Sequence, residues 1–138
     1  DRETARRHWG NRTARSYAWK SLLRARAAMQ FGSDAPFDRP GPFLAIQAAL
    51  TRRAAGESES QSFHEEQRIG LAEALRAHLE EPHRVAGWPE PLGRIAPGFA
   101  ADLVRWNEDF CTIPIDSWHQ VATIGVWVGG RREITEKM

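Results

Sequence analysis

Five of the eleven residues from Gly32 to Pro42 are glycine or proline. No helix or strand runs through such a segment, because proline lacks a backbone donor and glycine loses the most entropy in any regular element. The chain is thereby divided. On the N-terminal side, Tyr17, Trp19, Leu22, Leu23 and Ala27 recur at three- and four-residue spacing, which predicts an amphipathic helix over 17–28. Residues 28–32 then read as a short buried strand. On the C-terminal side, Pro42 suits the first position of a helix, where its missing N–H costs nothing. Phe43, Leu44, Ile46, Gln47 and Leu50 continue that helix to about Arg53. Residues 54–63 are small and polar, a loop by composition, and Leu71, Leu75 and Leu79 form the stripe of a helix over 71–79. Pro82 begins a short turn that Gly87, Pro89 and Pro91 end. After Gly93 the texture is extended, and the β-branched run 121–128 leads into Gly129-Gly130. That glycine pair predicts a hairpin with a return strand from Arg131 to about Ile134.

Length and charge exclude several classes. The 138 residues, 41% hydrophobic and 27% charged, suit one soluble globular unit. The apolar stretch Phe43 to Leu50 falls far short of the roughly 20 residues that cross a bilayer, and no secretory leader opens the chain. Nineteen basic against 18 acidic residues leave a net charge of +1, so neither nucleic acid nor a membrane is expected as a partner. A single cysteine, Cys111, excludes an internal disulfide framework and fits a reducing compartment, which points to a cytoplasmic location. The first residue is Asp1, not Met, which suggests an engineered, processed or fragmentary chain.

Several clusters carry a functional and a plainer reading. Residues 1–16 hold five arginines around Trp9. They read as a solvated helix or loop with Trp9 docked on the rest, or alternatively as an RNA-binding arm. His78 and His83 flank Glu80 and Glu81, but Pro82 interrupts the helix between them, so both are read as surface residues. His64-Glu65-Glu66 lacks the second histidine of a zincin helix and reads as solvated. Cys111 has no neighbouring base and reads as a buried or inert thiol. The six tryptophans are spread along the chain, as core residues are.

Residues 17–37 (YAWKSLLRARAAMQFGSDAPF), with Pro42-Phe43-Leu44 and the run from Ala48 to Arg53, resemble the amidohydrolase superfamily, closest to its YtcJ-like (amidohydrolase-3) branch. Residues 71–77, 93–104, 109–114 and 123–134 follow that family's order to its C-terminus, so nearly the whole chain is covered. The resemblance implies an α/β fold: the C-terminal part of a metal-dependent (β/α)8 barrel over 1–91, with the last barrel strand at about 28–32. Residues 92–138 would supply strands of a small β-sandwich, placing Asp102 in that sandwich as a structural residue. A complete barrel needs about 250 residues, so the rest must come from elsewhere.

The resemblance also implies a site. Asp34, in the Gly32-Ser33-Asp34 motif, would stand at the C-terminal end of the strand, on the face where such barrels build active sites. There it would be a metal ligand and general base, the metal expected to be a divalent ion, zinc first. Read without the family, spacing favours Asp34 as a helix- or turn-capping aspartate over a catalytic one. The resemblance places the family's other ligands, a His-x-His pair, a mid-barrel lysine or other bridging residue and two further histidines, upstream of this chain, and no His-x-His occurs among His8, His64, His78, His83 and His119. Where the family commonly has threonine and small residues, this chain has Leu79-Glu80-Glu81-Pro82-His83. The implied reaction is hydrolysis of a non-peptide C–N bond in a small-molecule amide or cyclic amide. The chain would be inactive alone, its partner would be the missing N-terminal part of the barrel, and it could form homo-oligomers. A non-catalytic remnant serving assembly or binding is the alternative.

Overall fold

The computed structural model describes residues 2–133 except 38, 39, 55 and 90. Among the described residues five α-helices precede a three-stranded sheet, and short 3-10 turns lie among both. Helix α1 (Arg2–Trp9) has Glu3 in its first turn and Arg6, Arg7 and His8 in its last, which matches the helix dipole at both ends. Arg2 pairs with Glu57 and donates to the Gln61 carbonyl, and the Arg6 guanidinium lies 5.1 Å from the centre of the Phe63 ring. The arginine-rich start is therefore folded against the loop that carries Glu57, Gln61 and Phe63. Ala5 and Thr13 are its buried residues, whereas Trp9, expected to dock, is half exposed.

Helix α2 spans only Trp19–Arg24, shorter than the 17–28 that the spacing predicts. Tyr17 and Arg26 both take positive φ, 52° and 57°, and these left-handed residues bracket the helix. Helix α3 (Pro42–Thr51) starts on its proline as expected and ends at Arg52, which turns left-handed at φ 60° and donates its N–H to the Ala48 carbonyl at 2.8 Å. Its Phe43, Ile46 and Ala49 enter the core beside Met29, Ile69, Ala74 and Trp118. Helix α4 (Leu71–Leu79) has the predicted bounds. Its innermost residues, however, are Ala74 and Ala77, and Leu79 at the end of the leucine stripe is exposed. Glu80 separates α4 from α5 (Glu81–Ala86), where Pro82 sits in the first turn and Gly87 closes the end.

Strands β1 (Leu103–Trp106), β2 (Thr123–Val128) and β3 (Arg131–Glu133) form an antiparallel sheet in that order. Leu103 faces Trp127 across the first pair and Val128 faces Arg131 across the second. Gly129 and Gly130, at φ 56° and 77°, make the predicted hairpin turn. Ile134, the expected end of the return strand, lies outside the described residues. The sheet meets the helices through aromatic rings: Phe43 on α3 stands 4.7 Å from Trp106, 5.2 Å from Phe110 and 6.1 Å from Trp118, centre to centre.

Three expectations need correction. Residues 28–32 are extended but form no strand. A strand is defined by its ladder, and among the described residues the backbone partner here is a helix end: Phe31 N–H donates to the Ala77 carbonyl at 2.9 Å. Correspondingly, no barrel and no second sheet exist among the described residues, which form a mixed helical structure with one antiparallel sheet. The sheet's second strand begins at Thr123, not Val121, because a 3-10 turn over Ile115–Gln120 buries Trp118 first. No described helix is long and apolar enough to cross a membrane.

Gly93 joins the two halves at close quarters. Its φ is 87°, and a Cβ there would lie 2.3 Å from the Leu79 carbonyl oxygen at the end of α4. Backbone cannot yield as a flexible side chain does. Gly93→Ala should therefore destabilise the fold by about 1–3 kcal/mol or more, from the left-handed strain and the clash together. Urea titration checks this; an unchanged midpoint would mean that the loop shifts freely.

Candidate functional site

Asp34 stands at the tip of the extended segment, where the chain reverses. Its φ is 57°, the left-handed region that aspartate tolerates better than most residues. Its carbonyl accepts the Phe37 N–H at 2.9 Å, and the neighbouring Ser33 Oγ accepts the Ala35 N–H at 3.3 Å. The turn is thus closed by backbone and by Ser33. The Asp34 carboxylate is exposed and has no hydrogen-bond or ion-pair partner among the described residues. A side-chain cap, the plainer reading of this aspartate, is not made.

The histidines do not converge on Asp34 or on one another. His78 on α4 is half-buried, its ring 5.4 Å from Phe31, and its Nε2 is enclosed without a partner among the described residues. The surface position expected for it is wrong, because the Phe31 segment lies along the end of α4 and covers it. His83 on α5 packs on Trp88 at 5.4 Å. His64 is also half-buried, against Phe63 at 4.1 Å, with Nδ1 3.6 Å from Glu66. The His119 Nδ1 lies 2.7 Å from the Asp116 carbonyl. Among the described residues no group of three or more His, Cys, Asp or Glu side chains could hold a metal ion. Asp34 offers one ligand, fewer than the three protein ligands a catalytic zinc takes.

Burial lowers the His78 pKa below the ordinary imidazole value, since desolvation disfavours the charged ring. The unfolded state then binds the proton more tightly than the folded one. Stability should be complete above the unfolded pKa of about 6.5 and fall as pH drops through it. His78→Phe should flatten that part of the pH profile of the unfolding midpoint; an unchanged slope would assign it to another group.

Two other expected residues are found in structural surroundings. Asp102 Oδ1 accepts the Gly129 N–H at 2.7 Å and so fixes the hairpin turn. Cys111 is exposed, not buried. Its thiol is pushed up by desolvation and then by Asp109, so it remains protonated and inert at neutral pH.

The most heavily built polar positions were not singled out by sequence. Gln47 on α3 is 1% exposed, and its Nε2 donates to Asp116 Oδ1 at 3.1 Å, while Arg53 donates to Asp116 Oδ2 at 3.0 Å. Arg52 is 6% exposed; its guanidinium lies 4.2 Å from the Trp19 ring centre, and its Nε donates to the Phe63 carbonyl at 3.0 Å. The only sequence signal for either is polarity on a helix face that is otherwise apolar. None of these residues lines the open groove of about 1140 Å³ that separates α3 and α4 from the sheet, whose walls include Phe43, His78, Leu79, Val104 and Trp127.

Comparison with known proteins fits the order of these segments. The sequence profile of the family described as "Amidohydrolase family" matches residues 3–133. A protein of Bacillus subtilis (strain 168), provisionally named amidohydrolase YtcJ, is 30% identical over 99 residues, which cover 72% of this chain and 19% of that protein. The chain thus spans about a fifth of the length of this curated relative. No solved structure gives a significant match.

Proposed function

Because the chain belongs to the amidohydrolase family, we propose that it is the C-terminal portion of a hydrolase that cleaves a non-peptide C–N bond in a small amide or cyclic amide. The observation that carries the assignment is Asp34: an exposed carboxylate, unpaired among the described residues, at the tip of a turn whose own hydrogen bonds are already closed by backbone and Ser33. Such a carboxylate is free to accept a proton from an attacking water and return it to the leaving nitrogen.

A divalent metal, zinc first, would activate that water and polarise the amide carbonyl when bound. From this chain Asp34 alone would hold it, and the remaining ligands would come from the upstream part of the longer protein. That part is also the proposed partner, completing the barrel against residues 28–34. Substrate is then chosen largely by loops outside this chain, and its location is proposed as cytoplasmic. The test is amide hydrolysis by the longer protein, wild type against Asp34→Asn. Normal hydrolysis by the variant would leave the reading of a non-catalytic, assembly-serving remnant.

A further inference from the structure

A second cavity, of about 270 Å³, lies on the side of α4 that faces α5 and the turn after α2. Three guanidinium groups line it, Arg26, Arg76 and Arg84, with two carboxylates, Glu73 and Glu81. The carboxylates are already engaged. Glu73 accepts the Gly70 N–H at 2.6 Å, and Glu81 is held by Arg84, which donates Nε to it at 3.0 Å. The guanidinium groups of Arg26 and Arg76 make no ion pair or hydrogen bond among the described residues; the charge of Arg76 acts only at longer range, adding to the hydrogen bond from Arg94 that lowers the Glu80 pKa. Two unpaired cations thus border one small cavity, whose floor is the buried Met29 and Ala77.

We propose that this cavity is a binding site for a small oxyanion, the phosphate or carboxylate group of a metabolite, taken between Arg26 and Arg76. Planar guanidinium forks match both groups in two-point hydrogen bonds. The apolar floor limits water on one side, which strengthens the charge interaction. The volume, just below the usual range of ligand pockets, has room for such a group and for part of the metabolite that carries it. Glu73 and Glu81 would turn away larger polyanions. Asp34 does not line the cavity, so the site is separate from the proposed hydrolytic centre.

The experiment titrates inorganic phosphate into the longer protein that carries this chain, with chloride at matched ionic strength as control and thermal midpoint as readout. Phosphate should raise the midpoint in a saturable way. Arg76→Gln and Arg26→Gln should each weaken the apparent affinity by about tenfold. Arg76 is exposed on α4 and glutamine is a good helix former, so the fold is kept. Asp34→Asn should leave the titration unchanged. Succinate in a parallel titration separates carboxylate from phosphate as the preferred group. A response no larger than that of chloride overturns the proposal. So does one lost in Asp34→Asn and kept in the arginine variants, which would place the anion at the hydrolytic centre.

Discussion

In the proposed longer hydrolase of which this chain would be the C-terminal portion, Asp34→Asn should lower turnover by about 10² to 10⁴ and leave the unfolding midpoint where it was. Asparagine has the same shape but cannot accept a proton, so the change isolates the basicity of the carboxylate. The fold has little reason to respond. The Asp34 carboxylate is exposed and has no partner among the described residues, and its turn is held by the Phe37 N–H on the Asp34 carbonyl and by Ser33. The left-handed φ of 57° suits asparagine as well as aspartate. Steady-state assay beside a thermal melt checks both halves. Normal turnover sinks the catalytic role; a collapsed melt with lost activity would make Asp34 a structural residue instead.

The 138 residues produced alone should associate or melt without cooperativity, and should not hydrolyse amides. Phe37 is 93% exposed, Ile95 91% and Trp88 61%, large apolar side chains that a self-sufficient domain of this size would cover. The outer edges of β1 and β3 are unpaired among the described residues and offer N–H and C=O groups to any passing strand. Residues 28–32, extended with a helix carbonyl as the described partner of Phe31, lack the neighbours that a strand requires. Light scattering after size exclusion, together with a thermal melt, decides the matter. A monodisperse monomer with a sharp transition at high temperature would show that the chain is complete in itself.

How much was legible in the sequence differs by element, and the differences have causes. Pro42 at a helix start, the 71–79 helix and the Gly129-Gly130 hairpin could all be read, because each is fixed by backbone chemistry within a few residues. Asp34 was legible as a candidate through its motif, and its exposed position at a turn is set just as locally, by Gly32, Ser33 and Pro36 around it. The strand at 28–32 was read from its apolar character, yet a strand is a relation between segments, and here the Phe31 amide meets the end of α4. His78 was read as exposed for the converse reason, since the residue that covers it, Phe31, lies 47 positions earlier in the chain. The same holds for Gln47 and Asp116, and for Arg52 and Trp19: buried polar groups demand partners, but which residue answers is decided only when distant elements pack. Local steric and hydrogen-bond rules let the sequence determine turns, caps and helix starts by itself. Burial, charge pairing and the meeting of Arg26 with Arg76 at one cavity depend on contacts across the fold, and only the tertiary structure decided them.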